Sequence, residues 1–489
     1  MELIDKDLVS IQEVRTLLKT AYEAQKKLGK LDQNQIDKIV KAISDAGIAN
    51  ATKLAKMANE ETGFGIWQDK VIKNLFAAKT VYEAIKDQKT IGIVRDDKEM
   101  KILDIGSPVG VIAGIIPSTN PTSTVIYKAM IALKGGNAIV FSPHPGAKKA
   151  ILETVKVISE AAEAVGMPKG CISTITVPTL QATNELMKSD YTALILATGG
   201  AAMVKSAYSS GTPAIGVGAG NGPAFIDKTA DVAVAVKRIM DSKTFDNGTI
   251  CASEQSIIVE KCLEEKVVAE LKSQGAYLLD KDESDKLGKF ILRANGTMNP
   301  QIVGKSVEHI AKLAGLNKVP SSARVLVARE YNVGNGAPYS HEKLAPILAL
   351  FVENSVDEVL EKCVQILEFE GAGHTFCMHA NNDELVKKFS LRVPASRILI
   401  NTPGSLGGIG GTTNLFPALT LGCGAVGGSS SSNNIGPMDV INIKRVAYGV
   451  RELEEIRKMN PISSNDGNLS GSQKQLIDSI VDRILKELI

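Results

Sequence analysis

From about Met100 onward the chain alternates short apolar runs with segments of helical spacing, and that alternation leaves few folds open to it. Residues 100–105 and 109–116 read as strands, as do 138–141, 171–177 and 194–197. Between and after them, residues 147–165, 180–187 and 201–208 read as helices. Strands joined through helices need crossover connections, so the pattern predicts an α/β fold with parallel sheets, whose ligands collect at the carboxyl ends of the strands. A second stretch of the same kind runs from about Val232 to about Thr420, with helices at 263–274 and 356–367 and strands at 256–259 and 397–400. It predicts a second domain, within what 489 residues allow. Residues 1–90 read as helices instead. Ile11, Val14, Leu17 and Leu18 recur at helical spacing, as do Ile36, Ile39, Val40 and Ile43. No repeat with a period of 20 to 50 residues stands out.

Charge and composition exclude several classes. Lys+Arg 56 against Asp+Glu 54 gives no basic excess with which to neutralise phosphates, so no nucleic-acid partner is expected. Residues 1–30 lack the charged start and apolar stretch of a signal peptide. The longest apolar runs, such as Leu194-Ile-Leu-Ala197, fall far short of the roughly 20 residues that a membrane span needs. A soluble, cytoplasmic protein without membrane association is expected. The six cysteines contain no CxxC pair, which argues against a disulfide framework and against a metal site.

Cys251 has the most telling context, Thr244-Phe-Asp-Asn-Gly-Thr-Ile-Cys251-Ala-Ser-Glu-Gln255. A cysteine after a polar turn suits a reachable thiolate nucleophile, while simple packing is the alternative. Gly199-Gly200 follows a strand, and Gly216-Val-Gly218-Ala-Gly-Asn-Gly222 follows a turn at Thr212-Pro213. Either cluster suits close backbone approach to a ligand or merely a tight turn. Gly422-Cys-Gly424-Ala-Val-Gly427 spells GxGxxG, but serines rather than a helix follow it, so it is rejected as a dinucleotide fingerprint. Among five histidines, His374 is flanked by glycines and is a candidate to face a ligand, against a structural role.

Together these stretches resemble the CoA-acylating aldehyde dehydrogenases of the aldehyde dehydrogenase superfamily, and especially the aldehyde dehydrogenase half of bifunctional aldehyde-alcohol dehydrogenases. The resemblance rests on Ile116-Pro-Ser-Thr-Asn-Pro-Thr-Ser-Thr124, Phe141-Ser-Pro-His-Pro145, Ile195-Leu-Ala-Thr-Gly-Gly200 and Pro213-Ala-Ile-Gly-Val-Gly-Ala-Gly-Asn221. It continues through Ser242-Lys-Thr-Phe-Asp-Asn-Gly248, Ile250-Cys-Ala-Ser-Glu-Gln255, His341-Glu-Lys-Leu-Ala-Pro346, Gly373-His-Thr375 and Ile398-Leu-Ile-Asn-Thr-Pro403, and covers roughly residues 10–450.

The resemblance implies a Rossmann-like cofactor domain over 1–232, including part of an oligomerisation hairpin near 98–108, and a catalytic domain over 233–428. A return segment with an oligomerisation strand would follow at 429–459. Cys251 matches the nucleophile and Asn120 the amide that, with the Cys251 backbone N–H, forms the oxyanion hole. Glu342 matches the glutamate that holds the nicotinamide ribose. Thr198, Gly199 and Gly200, with Gly218, match the loops around the cofactor; Ser142, Pro143 and His144 match its adenosine side. His374 matches a histidine of the acylating branch, assigned to CoA or acyl transfer. NAD is the expected cofactor, with NADP left open because the Ser142-Pro-His-Pro145 stretch has no acidic residue to reject a 2′-phosphate. CoA is the expected co-substrate, and a homodimer or homotetramer the expected assembly.

Hydrolytic members of the superfamily carry a glutamate in the segment matching 215–221; here it reads Ile-Gly-Val-Gly-Ala-Gly-Asn. Without that base, water is a poor nucleophile toward a thioester, and CoA, a far more acidic thiol, is the expected acceptor. The implied reaction is acetaldehyde + CoA + NAD to acetyl-CoA + NADH. Other short aldehydes (propionaldehyde, sulfoacetaldehyde), a hydrolytic dehydrogenase and a non-catalytic scaffold are the alternatives.

Beyond the family core, residues 460–472 have linker composition and 473–489 form an amphipathic helical pattern. That tail resembles the encapsulation peptides that recruit enzymes into bacterial microcompartments; the alternative is a helix docked on its own oligomer.

Overall fold

Strand Val111–Ile116 is buried at every position, the continuous apolar run of a parallel strand covered on both faces. In the computed structural model, which describes residues 5–460 and 470–487, it is the third of fifteen strands among the described residues. In chain order these are β1 (Gly92–Asp97), β2 (Ile102–Pro108), β3 (Val111–Ile116), β4 (Ala138–Pro143), β5 (Ile172–Thr174), β6 (Thr192–Thr198) and β7 (Ala214–Val217). Then follow β8 (Gly222–Ile226), β9 (Glu254–Glu260), β10 (Ala276–Leu278), β11 (Val325–Arg329), β12 (Ile347–Glu353), β13 (Gly373–His379), β14 (Ala395–Ile400) and β15 (Ile441–Ala447).

Two sheets are wholly parallel. The first has the order β5-β4-β3-β6-β7 and the second β10-β11-β12-β9-β8-β13-β14. A third, three-stranded sheet has the order β1-β2-β15. In the first sheet the chain runs outward from β3 through β4 to β5, then returns to place β6 on β3's other side. The crevice at the carboxyl ends of β3 and β6 is therefore a topological switch point.

Helices Lys6–Leu28, Gln33–Ala49, Ala51–Thr62 and Trp67–Leu75 confirm the helical reading of the first segment. Ile36, Ile39, Val40 and Ile43 all lie on the buried face of the second, which Asp32 and Gln35 close with a capping box.

Three boundaries differ from expectation. β1 starts at Gly92, ahead of the expected hairpin near 98; with only Ile93 and Val94 before three charged residues, and four of its six positions exposed, it carries a weak apolar signal. β5 stops at Thr174, because the Glu13 carboxylate takes the N–H groups of Thr176 (2.8 Å) and Val177 (3.1 Å) out of the ladder. The change of sheet falls between Val217 and Gly222, earlier than the expected boundary at 232, because Gly222-Pro-Ala-Phe-Ile226 already pairs with β9 and β13.

Residues 5–94 with 105–444 form one compact unit; the described residues of 95–104 and 445–487 form another. In the second, Arg445 approaches Asp104 (3.4 Å) and the Tyr448 N–H donates to the Lys101 carbonyl (3.2 Å). Its last helix is Gly471–Glu487, with Leu476, Ile477, Ile480, Val481, Ile484 and Leu485 all exposed. Most of the expected linker, 461–469, lies outside the described residues. Among the described residues no helix is long and apolar enough to cross a membrane, and no cluster of His, Cys, Asp and Glu could hold a metal ion.

Candidate active site

The candidate residues collect where the carboxyl edge of the five-stranded sheet meets the amino edge of the seven-stranded one. β3 delivers Asn120, which caps the buried helix Pro121–Lys134. β7 leads through Gly218-Ala-Gly-Asn221 into β8. Cys251 lies just before β9, Glu342 before β12, and His374 at the start of β13.

The cysteine loop has an unusual backbone. After helix Val232–Thr244, Asp246 (φ 48) and Asn247 (φ 52) occupy the left-handed region, which Asp and Asn tolerate better than most residues. Asp246 is fully buried. Its carboxylate accepts from the Ile66 N–H (2.7 Å), Lys70 Nζ (2.9 Å), Lys73 Nζ (2.5 Å) and the Thr249 hydroxyl (2.8 Å). These bonds fix the turn that presents Cys251. Gly65 is required beside them, since a Cβ there would lie 1.8 Å from Asp246 Oδ1.

Asn120 faces this loop: its Nδ2 donates to the Thr249 carbonyl (3.1 Å), and its Oδ1 accepts from Lys73 Nζ (2.6 Å). On another side of the cysteine, a Cβ on Gly220 would lie 1.9 Å from the Cys251 carbonyl oxygen, so only glycine fits. The Gly220 N–H donates to Glu342 Oε1 (2.8 Å). Glu342 and Cys251 thus flank one glycine. Glu370 anchors the backbone from below, accepting the Glu342 N–H (2.9 Å).

Desolvation dominates the electrostatics. Burial pushes the Cys251 thiol up to about 12, with the Glu342 charge adding to the rise and Arg397 opposing it. Burial likewise raises Glu342 to about 8, against the Gly220 hydrogen bond. His374 is fully buried; burial and the Arg397 charge hold it down at about 3, so it is neutral at pH 7. Its Nδ1 shares a hydrogen bond with the Thr375 hydroxyl (2.8 Å), and its Nε2 has no partner. The Arg397 guanidinium donates to the carbonyls of Gly422 (2.5 Å) and Gly373 (3.3 Å), tying the base of the His374 strand in place.

The cofactor candidates lie at the carboxyl ends of β4 and β6 and in the loop after β7. Thr198 ends β6 with a buried hydroxyl that has no partner. Gly199 and Gly200 then open helix Ala201–Tyr208, whose N-terminus offers free N–H groups of the kind that bind phosphate. A Cβ on Gly200 or on Gly218 would meet open space. Ser142, near the end of β4, is buried and shares a hydrogen bond with the Thr183 hydroxyl (2.8 Å). Pro143 closes that strand, and the exposed His144 accepts the Gly146 N–H (3.1 Å). The rejected GxGxxG segment makes only a three-residue turn, Ala425–Gly427.

Sequence reasoning did not single out Lys70, Lys73, Asp246 or Arg397. Lysines three apart read as one solvated helix face, and nothing local pairs them with an aspartate far along the chain.

The aldehyde dehydrogenase family profile matches residues 7–406. The chain is 44% identical over 445 residues to the bifunctional aldehyde-alcohol dehydrogenase AdhE of Escherichia coli (strain K12), covering 90% of this chain and 50% of that protein. It spans about half the length of the aldehyde-alcohol dehydrogenases it matches. To the succinate-semialdehyde dehydrogenase (acetylating) of Clostridium kluyveri it is 38% identical, over 90% of this chain and 96% of that one. Among solved structures, a probable aldehyde dehydrogenase from Listeria monocytogenes EGD-e superposes with TM-score 0.91 at 65% identity, over 93% of this chain and 100% of that one. An acetylating aldehyde dehydrogenase from Geobacillus thermoglucosidasius gives 0.90 at 53%, over 92% and 99%. A propionaldehyde dehydrogenase from the Clostridium phytofermentans fucose utilisation bacterial microcompartment gives 0.80 at 29%, over 89% and 97%. With its parallel sheets, its cysteine loop and these matches, the chain belongs to the aldehyde dehydrogenase family.

Proposed function

We propose that this chain is a CoA-acylating aldehyde dehydrogenase that converts a short aldehyde, acetaldehyde foremost, with CoA and NAD to the acyl-CoA and NADH. One observation carries the reading. The 215–221 segment packs bare glycine backbone against Cys251, and the nearby Glu342 carboxylate is tied to the Gly220 N–H. No residue of that segment can serve as a base for water. Acetylating relatives and neighbours support the same reading.

In this mechanism the Cys251 thiol gives up its proton to water as its sulfur adds to the aldehyde carbon, and the carbonyl oxygen becomes an alkoxide, stabilised by the Asn120 amide. Thr198, Gly199, Gly200 and Gly218, with Ser142, Pro143 and His144 toward the adenosine side, would hold a nicotinamide cofactor, which would supply the hydride acceptor. Glu342 contributes at the nicotinamide ribose. Cys251 is left as a thioester, and the CoA thiol displaces it. The proton of the CoA thiol passes to the departing Cys251 sulfur, and His374, neutral because burial holds it down at about 3, is assigned to CoA or acyl transfer as a hydrogen-bonding group. NAD is favoured over NADP on family grounds alone.

The three-stranded sheet is the proposed oligomerisation element of a homodimer or homotetramer. The exposed apolar face of helix Gly471–Glu487 supports packaging in a microcompartment, as the setting of one neighbour also suggests.

Reduction of NAD by acetaldehyde, followed with and without CoA on the wild type and on Cys251→Ala, tests the reaction. The expected result is acetyl-CoA formed only with CoA and lost in the variant. Free acetate formed at full rate without CoA would overturn it.

A further inference from the structure

The oxyanion amide of the proposed reaction has a second end, and that end is occupied. Lys70 and Lys73 lie three apart on helix Trp67–Leu75, and both are 3% exposed. They do not form the solvated face that their spacing suggests. Both reach into the cysteine turn, where Asp246 and Asp69 balance their charge; the Asp69 carboxylate accepts the Asp246 N–H (2.7 Å).

The two lysines do different things. Lys70 Nζ donates to Asp246 Oδ2 (2.9 Å) and to the Thr119 carbonyl (3.0 Å), and makes no hydrogen bond to the Asn120 side chain. Lys73 Nζ uses all three of its N–H donors: on Asn120 Oδ1 (2.6 Å), Asp246 Oδ2 (2.5 Å) and Thr249 Oγ1 (2.9 Å).

An asparagine amide has an accepting and a donating end of nearly the same shape, and a half-turn of the side chain exchanges them. An ammonium accepts nothing. With Lys73 on one side, the oxygen must face the lysine and the NH2 must face the Thr249 carbonyl and the cysteine loop. We propose that Lys73 is a positioning residue of the oxyanion site, which sets the direction of the Asn120 amide and, by its charge on Oδ1, strengthens Nδ2–H as a donor to the alkoxide. This rests on the oxyanion role given to Asn120 above. The same ammonium spans Asp246 and Thr249, so the amide and the turn that carries Cys251 share one anchor.

A double-mutant cycle tests it, with kcat and the KM values for aldehyde, CoA and NAD measured on K73M, N120A, K73M/N120A and K70M, and thermal midpoints alongside. K73M is expected to lower kcat by roughly ten- to a hundredfold, less than complete loss of a donor, with the KM for CoA unchanged. In the N120A background K73M should cost clearly less, leaving only what the loss of its bonds to Asp246 and Thr249 takes from the cysteine turn. K70M, which removes a cation from the same cluster without touching the Asn120 side chain, should lower kcat less than K73M does.

Equal kcat losses from K73M with and without Asn120, in the presence of an impaired N120A, would overturn the positioning role alone. So would a K70M loss as large as that of K73M. Full kcat in N120A would overturn the oxyanion role itself, and that of Lys73 with it. Should K73M fail to fold, K73Q carries the same cycle with a neutral side chain.

Discussion

Cys251 rests as a thiol. Burial, with the neighbouring Glu342 adding to it, pushes the group up to about 12, so the proposed nucleophile is protonated at neutral pH. Glu342, itself near 8, changes charge in a range that can be probed. Below about pH 7 its carboxyl is protonated and resembles a glutamine. Above about pH 8 it is ionised and repels a thiolate at Cys251. The Glu342→Gln variant, in the absence of substrates, should therefore be alkylated by iodoacetamide at the wild-type rate at pH 6.5 and several-fold faster at pH 9. Equal rates across the whole range would mean that the two groups do not sense each other. At this scale the sequence singled out the residues proposed to react and was silent about those that hold them. Cys251, Asn120 and His374 stand in legible local motifs. Lys73 stands in none, and although Asp246 lies in the turn before Cys251 nothing there shows its partner, because their pairing joins residues far apart in the chain and a buried ion pair leaves no local pattern.

Among the elements, the loop from β7 to β8 carries the sharpest constraint. A methyl group on Gly220 would need the space of the Cys251 carbonyl, at 1.9 Å, so the Gly220→Ala loop must move and take the cysteine with it. A displacement on the order of 1 Å at a reacting atom costs about a hundredfold in rate, and a loss of that order in kcat is expected, with a lowered thermal midpoint. Gly218 differs, although it lies two residues away. Its added Cβ meets no protein atom within 4 Å, so Gly218→Ala should keep the thermal midpoint and raise the KM for NAD instead, because the space would belong to the nucleotide. Steady-state kinetics and thermal unfolding on the pair separate the two roles. Period and burial made most strands and helices readable. The elements that were misjudged are those decided by a distant side chain or by weak apolar signal. Glu13 truncates β5, and β1 is exposed at four of its six positions.

At the scale of the whole molecule, the proposed reacting residues come from one sheet's carboxyl edge and another's amino edge, and all lie in the unit spanning 5–94 and 105–444. Helix Gly471–Glu487 belongs to the other unit and contributes none of them. Its Leu476, Ile480 and Ile484 are each about half exposed, an apolar stripe at helical spacing that burial against a partner would stabilise by roughly 25 cal/mol for each Å² covered. If that stripe serves packaging, its loss should separate location from catalysis. A chain ending at Asn460 should keep the CoA-dependent kcat and the KM for acetaldehyde, yet no longer co-sediment with microcompartment shells when produced beside them. The subtler L476E/I480E/I484E variant, which keeps the helix and its length, should behave the same way. Retained co-sedimentation in that variant would place the packaging signal elsewhere. A fall in kcat together with dissociation of the oligomer would instead assign the helix to the assembly of the enzyme itself.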